Sequence, residues 1–383
     1  MAVTTHHLPV LRIDDIEARI PIVQGGMSVG ISLSGLAAAV SNEGGISVIG
    51  AAGLGLLEDE NPSNYREANE QALRSEIRKA RSLTDGLLGV NIMMALSDHG
   101  NLITAAIDEG VDLIFIGAGM WLRAPRQVDM DLVRDSSTKI VPIVSSARAA
   151  RIIFRYWARH HTHVPDAVVI EGPKAGGHIG FAREDVSNPE CALENVLPRV
   201  IEEIHPYRDR FGKSIPVIAA GGIFSGRDIY EMLQLGADGV QMGTRFVATH
   251  ECDASDEFKE MYVNSTEEDM VVISSPVGLP GRAIRNSFLD NILAGRRTPF
   301  RCPWKCLVTC DFRKSPYCIA RALVNARKGK ITQGFAFAGL NAYRIEKIVS
   351  VKELIQSLIE EYEDAVREFL DSAEGVVPAL SPA

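Results

Sequence analysis

Positive charge is in short supply in this 383-residue chain: 40 lysines and arginines stand against 49 aspartates and glutamates, a net charge of −9. That balance argues against a platform for nucleic acid. No run of 18 apolar residues occurs, so no membrane-spanning helix is expected. The opening MAVTTHHLPV lacks a charged segment followed by an apolar core, which removes the secretory reading and leaves the expectation of a cytoplasmic protein. Low-complexity tracts and sequence repeats are missing too. Cysteine is scarce except in one place, where Cys302, Cys306, Cys310 and Cys318 make up four of the chain's six.

What the chain has in quantity is short apolar runs stopped by glycine. In the stretch from Ile215 to Phe246, PVIAA and DGVQM flank an amphipathic segment of about a dozen residues, which reads as strand, helix, strand. Gly221 and Gly222 follow the first strand and Gly243 and Thr244 the second, so two turns with bare amides would lie side by side and suit a phosphate. Six further buried-strand patterns precede them, at Ile20 to Gln24, Gly45 to Gly50, Leu88 to Ile92, Leu113 to Gly117, Ile140 to Val144 and Ala167 to Glu171. Helical patterns lie between, at Leu33 to Asn42, Tyr65 to Ser82, His99 to Glu109, Ala147 to Arg159, Cys191 to His205 and Gly226 to Leu235. Trp121 to Arg134, with Pro125 and scattered charges, is the least regular link. Eight strands in series with the phosphate signal at seven and eight favour a (β/α)8 TIM barrel over an open doubly wound sheet.

Such barrels keep their chemistry at the C-terminal ends of the strands. After strand one, Gly25, Gly26 and Met27 leave main chain bare for a flat ligand; after strand three, Asn91 offers an amide that can donate or accept. After strand six, His178 sits among Gly176, Gly177 and Gly180 on a loop expected to be flexible, where an imidazole can take or give a proton. His160, His161 and His163 have no carboxylate or cysteine partners at metal spacing, and a solvated loop is expected there.

As an ordered set, PIVQGGM, AVSNEGGISVIG, GVNIMM, EGPKAGGHIGF, PVIAAGGI and GVQMGTRF resemble the nitronate monooxygenase family (formerly 2-nitropropane dioxygenases) and the related flavin-dependent enoyl-ACP reductases. The resemblance runs from about residue 15 to 295 and implies FMN as cofactor. It implies that Gly25, Gly26 and Met27 lie against the isoalloxazine ring, that Asn91 contacts it, and that Gly176 and Gly177 border it. Gly221, Gly222, Gln241, Met242, Gly243 and Thr244 would hold the phosphate, and His178 would be the catalytic histidine. Pro173 and Lys174 depart from the pattern, since relatives often carry an acidic residue there; Lys174 would add positive charge for an anionic substrate. The implied reaction oxidises an alkyl nitronate with O2 to a carbonyl compound and nitrite. The alternative uses NAD(P)H as reductant for an enoyl thioester, and GLPGRAIRN, Gly278 to Asn286, resembles that second group. A purine-nucleotide dehydrogenase would need a cysteine where His178 stands, and a non-catalytic flavin module would leave His178 unexplained.

Residues 1–248 are thus read as the barrel and 249–383 as a C-terminal extension. Within it, Ser274 to Asn286 is expected to cross the mouth as a lid. Val349 to Asp371 is read as an amphipathic helix on the outer wall or at a contact between two copies, and the last dozen residues as frayed. Three of the clustered cysteines recur every fourth residue and would share a face if the segment were helical. That would suit a metal or an iron–sulfur cluster, although the spacing matches neither paired zinc motifs nor ferredoxin runs. Buried structural or reactive thiols are the other reading.

Overall fold

The computed structural model describes residues 8–374 except 60, 61, 124, 126, 127, 129 and 303. Its eight parallel strands are β1 (Ile22–Gln24), β2 (Ser47–Gly50), β3 (Leu88–Met93), β4 (Leu113–Gly117), β5 (Lys139–Val144), β6 (Val168–Glu171), β7 (Val217–Ala220) and β8 (Gly239–Met242). Neighbours in sequence pair in space, and β8 pairs with β1. The ring closes where the Gln24 amide donates to Ile46 O (2.8 Å) and the Ile46 amide to Ile22 O (3.0 Å). The protein is a TIM barrel, with every strand where the apolar runs put it.

Both faces of each strand are buried, which is why the runs are continuous and do not alternate. Val23, Val48, Phe115, Val141, Val169 and Ile218 fill the interior. Ile22, Ile49, Ile114, Ile140, Val168 and Val217 face the helices. An N-terminal hairpin, Leu11–Ile13 with Ile16–Ala18, adds Leu11, Ile13 and Ala18 to the interior and closes the bottom. It lay outside the sequence reading, its strands being three residues each.

The crossover helices are α1 (Ser34–Asn42), α2 (Tyr65–Leu83), α3 (His99–Asp108), α4 (Met130–Asp135), α5 (Ala147–His160), α6 (Leu193–Phe211) and α7 (Gly226–Gln234). The irregular fourth link does hold a helix, of only six residues. Helix α6 runs beyond the expected end at His205 because its apolar stripe, Val196, Leu197, Val200 and Ile204, packs on the barrel and overrides the interior Pro198 and Pro206. It stops at Gly212, in the left-handed region at φ 62°. At the start of α7, Ser225 and Asp228 form a reciprocal capping box.

The extension adds α8 (Asp256–Val263), β9 (Met270–Ser274), β10 (Pro280–Ile284), α9 (Ser287–Leu293), α10 (Ile319–Arg327) and α11 (Val351–Glu374). Helix α11 lies on α7 so closely that a Cβ on Gly226 would sit 2.2 Å from Leu358 O. From residue 375 on, the end expected to fray lies outside the described residues. Among the described residues no helix is long and apolar enough to cross a membrane.

Candidate functional site

Of the residues singled out from the glycine motifs, all but Gly180 line one cavity of about 340 Å³ at the C-terminal end of the barrel: Gly25, Gly26, Met27, Asn91, Gly176, Gly177, His178, Gly221, Gly222, Gln241, Met242, Gly243 and Thr244. The loops after β1, β3 and β8 abut there. The Gly25 amide donates to Met242 O at 2.9 Å. A Cβ on Gly26 would lie 2.4 Å from Asn91 Cβ, so only glycine lets β1 and β3 approach so closely at the mouth.

The turn after β7 carries two adjacent glycines in the left-handed region, Gly221 at φ 93° and Gly222 at φ 97°. Asp228 takes the amides of Phe224 and Ser225, and Glu361 takes that of Gly226. The start of α7 is therefore committed within the protein, which leaves the glycine turns as the candidate anion cradle. Behind it, the Arg245 and Arg344 guanidinium groups each lie 4.3 Å from the Phe224 ring centre. Arg245 Nε is buried without an acceptor in the protein.

His178 is held more firmly than its glycine neighbours predict. Gly177–His178 is a short strand paired with β10, His178 opposite Gly281 and Gly177 opposite Arg282. The Ile179 amide donates to Pro280 O at 2.8 Å. Buried Arg282 donates through Nη1 to Pro173 O (2.6 Å) and Ala175 O (2.9 Å), tying down the preceding turn. The expectation of a flexible loop is corrected, because pairing to a strand about a hundred residues away is invisible to local composition. Ser275 Oγ accepts from the Val277 amide (3.3 Å), lies 2.7 Å from His178 Nε2, and can donate its own proton there. The Phe337 ring packs 5.0 Å from the imidazole. Burial holds the His178 pKa down at about 4, so the imidazole is neutral at physiological pH.

Glu171, the last residue of β6, also faces the cavity, and removal from bulk water raises its pKa from 4.5 to about 7. The unfolded chain would ionise this carboxyl near 4.5, whereas the folded one keeps its proton until about 7, so stability is lost as pH rises through that window. Glu171→Gln is therefore expected to raise Tm relative to the parent at pH 8 and to leave it unchanged near pH 4, as read by thermal unfolding. His178 acts in the opposite direction. The unfolded imidazole takes a proton below 6.5 and the folded one only near 4, so its burial removes stability as pH falls between those values.

Glu171, Ser275, Arg282, Phe337, Gly339 and Asn341 were not foreseen as site residues. All but Glu171 come from the extension. The Gly339 amide donates to Thr244 Oγ1 (2.9 Å), the Leu340 amide to Lys174 O (3.0 Å) and Asn341 Nδ2 to Gly222 O. A lone glycine among small residues in AFAGLNAYR was the available signal. Lys174 lies over Gly222, its ammonium 4.0 Å from Glu194 and half exposed, so part of its charge is offset at the rim.

In the cysteine segment the condition for a shared helical face is not met. The described residues of 302–318 form turns and no helix, with Lys305 at φ 47° and Leu307 bridged antiparallel to Leu96. All six cysteines are free thiols, and among the described residues no group of three or more His, Cys, Asp or Glu is gathered to hold a metal ion. The His160 to His163 group is also less solvated than expected. His160 stacks on Tyr156, His161 Nε2 reaches Leu122 O at 3.2 Å, and burial lowers the His163 pKa.

Among characterised relatives, a dehydrogenase of Mycobacterium tuberculosis is 29% identical over 277 residues. It acts on (3aS,4S,5R,7aS)-5-hydroxy-7a-methyl-1-oxo-octahydro-1H-indene-4-carboxyl-CoA, and the match takes in 72% of this chain and 66% of that one, just under two thirds of its length. A probable nitronate monooxygenase of Staphylococcus saprophyticus is 27% identical over 72% of this chain and 79% of its own. The solved structure of FabK from Thermotoga maritima superposes with a TM-score of 0.72 at 29% identity, covering 93% of this chain and 96% of that one. Nitroalkane oxidase from Streptomyces ansochromogenes shares the fold, with a TM-score of 0.69 at 22% identity over 92% of this chain and 98% of that one. The sequence pattern of the nitronate monooxygenase family matches residues 11–361. With the barrel, the glycine-lined mouth and the paired histidine in place, the chain belongs to the nitronate monooxygenase family.

Proposed function

We propose that the protein binds FMN in this cavity and oxidises alkyl nitronates with O2 to a carbonyl compound and nitrite. The fit to FMN rests on main chain packed at the mouth so closely that a Cβ on Gly26, Gly176 or Gly221 would meet protein atoms at 2.4, 2.5 and 2.7 Å, and on the guanidinium groups behind the phosphate turns. Gly221, Gly222, Gly243 and Thr244 would hold the phosphate, and Gly25, Gly26, Met27 and Asn91 the ring. FMN bound there supplies the electron acceptor. The observation that carries the reading is a neutral His178 fixed at the cavity wall with Ser275 at 2.7 Å. Its imidazole can hydrogen-bond a nitronate oxygen, or accept a proton at Nε2 from the carbon of a nitroalkane once Ser275 turns away. Met27, Met93, Leu307 and Phe337 keep water from the alkyl group.

One observation favours NAD(P)H-dependent reduction of an enoyl thioester: the apolar wall continues through Val277, Ile319, Ala320 and Leu323, longer than a small nitronate needs. Anaerobic additions to the purified flavoprotein separate the two. Bleaching of the flavin band by ethylnitronate but not by NADH or NADPH supports nitronate oxidation. Rapid bleaching by a pyridine nucleotide alone would transfer the assignment to the reductase, and absence of flavin would overturn both.

A further inference from the structure

We propose that Cys302, Cys306, Cys310 and Cys318 hold a four-iron iron–sulfur cluster on the wall of the cavity. The loop that carries them has no regular secondary structure, yet it is fastened to the barrel mouth. The Ser97 amide donates to Cys306 O (3.0 Å), the Val308 amide to Ala95 O (2.9 Å) and the Thr298 amide to Pro316 O (2.8 Å). Fixing so irregular a chain costs about 1–2 kcal/mol per residue in conformational entropy. A ligand shared by its side chains offsets that cost in a way that turns alone do not.

The four thiols share one short loop, and two of them share one apolar cluster. Cys306 is buried in one small apolar cluster with Trp304 and Val324, and Cys318 packs against it. Cys302 and Cys310 stand four residues to either side of Cys306 on the same loop, and the Cys310 sulfur lies 3.9 Å from Ser315 Oγ. None is tied into a disulfide. A single tetrahedral ion with bonds of about 2.3 Å would draw four sulfurs to within about 3.8 Å of one another. No such close group exists among the described residues. A cubane of iron and sulfide holds its four thiolates farther apart, one at each iron, and so does not need the close group that a single ion would.

Two further features favour an anionic cluster. The Trp304 indole N–H is buried with no acceptor in the protein, and inorganic sulfide would supply one. Arg321 lies 5.5 Å from the Trp304 ring centre, and Cys318 stands at the N-terminus of α10, where the helix dipole favours a thiolate. Cys306 and the adjacent Leu307 also line the cavity, so one cluster ligand would be part of the wall around the flavin site.

The test is chemical and does not depend on turnover of any substrate. The full-length protein is purified without oxygen and reconstituted with ferrous iron and sulfide. Iron, acid-labile sulfide and FMN are assayed, and the dithionite-reduced sample is examined by electron paramagnetic resonance. About four iron and four sulfide per chain, with a reduced-cluster signal, are expected. Cys310→Ser and Cys318→Ser should each lose most of the iron while FMN content stays at the parent level. Iron well below one per chain after reconstitution, zinc bound in its place, or iron undiminished in both variants would overturn the proposal. If the variants fail to fold, the iron and sulfide content of the parent protein still decides it. Loss of nitronate oxidation with iron intact would count against the proposed activity and not against the cluster.

Discussion

Alanine in place of His178 is expected to lower kcat by about a hundredfold or more while flavin content stays unchanged, in line with the 10²–10⁴ that positioned acid–base groups contribute. Retention follows from geometry: the cradles that would hold FMN are backbone turns at Gly26, Gly221 and Gly243, and none depends on the imidazole. The loss follows from chemistry. Truncation leaves Ser275 without the partner it has at 2.7 Å and leaves the substrate without its proton acceptor or donor. The pH profile gives a second reading. Because burial puts the His178 pKa at about 4, the parent should keep its neutral imidazole, and the rate that depends on it, down to mildly acidic pH. Binding of an anionic nitronate would favour the protonated ring, so nitronate affinity should strengthen as pH falls toward that value. The alanine variant should show neither trend, and turnover at the parent rate with flavin retained would remove His178 from the mechanism.

Gly221→Ala should do the opposite and abolish flavin binding before chemistry is reached. A non-glycine residue at φ 93° carries about 1–2 kcal/mol of strain. Its Cβ would also stand 2.7 Å from Gly172 O and 2.9 Å from Gly172 N, which are backbone atoms at the end of β6 and cannot rotate away. The turn must shift, and the phosphate contacts and the β6 loop shift with it. A hundredfold or greater loss of FMN affinity and a fall of several degrees in Tm are expected, measured by flavin content after gel filtration and by thermal unfolding. Gly177→Ala is the matched control. It too has positive φ, 77°, but nothing lies within 4 Å of its Cβ, so it should keep most of its flavin. Equal flavin content in Gly221→Ala and the parent would refute the cradle.

The barrel was legible because each of its signals is local. Strands buried on both sides, such as LIFIG at Leu113–Gly117, read as unbroken apolar runs, and helices such as α5 carry their stripe and their Ser146 cap within a few residues. The glycines of the site were legible for the same reason, since each marks a strand end. What escaped was non-local. Nothing around Gly177 announces Arg282 as its strand partner, and AFAGLNAYR gives no sign that Gly339 will meet Thr244, 95 residues earlier. Glu171 was passed over for a different reason: its interest lies in desolvation, a property of the cavity and not of the tetrad VVIE. The cysteines were visible as a cluster, but spacing alone left open whether the segment is helical, because it does not report the bridge from Leu307 to Leu96.

The strand that braces His178 also orders events during synthesis. The eighth barrel strand leaves the ribosome at residue 242, but Pro280–Ile284 and then Gly339 to Asn341 emerge only later. At about 5–20 residues per second, the last hundred residues of that wait take roughly 5–20 seconds. During that interval the nascent barrel can pack its hydrophobic interior, yet its histidine has no partner strand and its phosphate turn lacks Asn341. Translation thus withholds a competent mouth until Gly339 to Asn341 have been made.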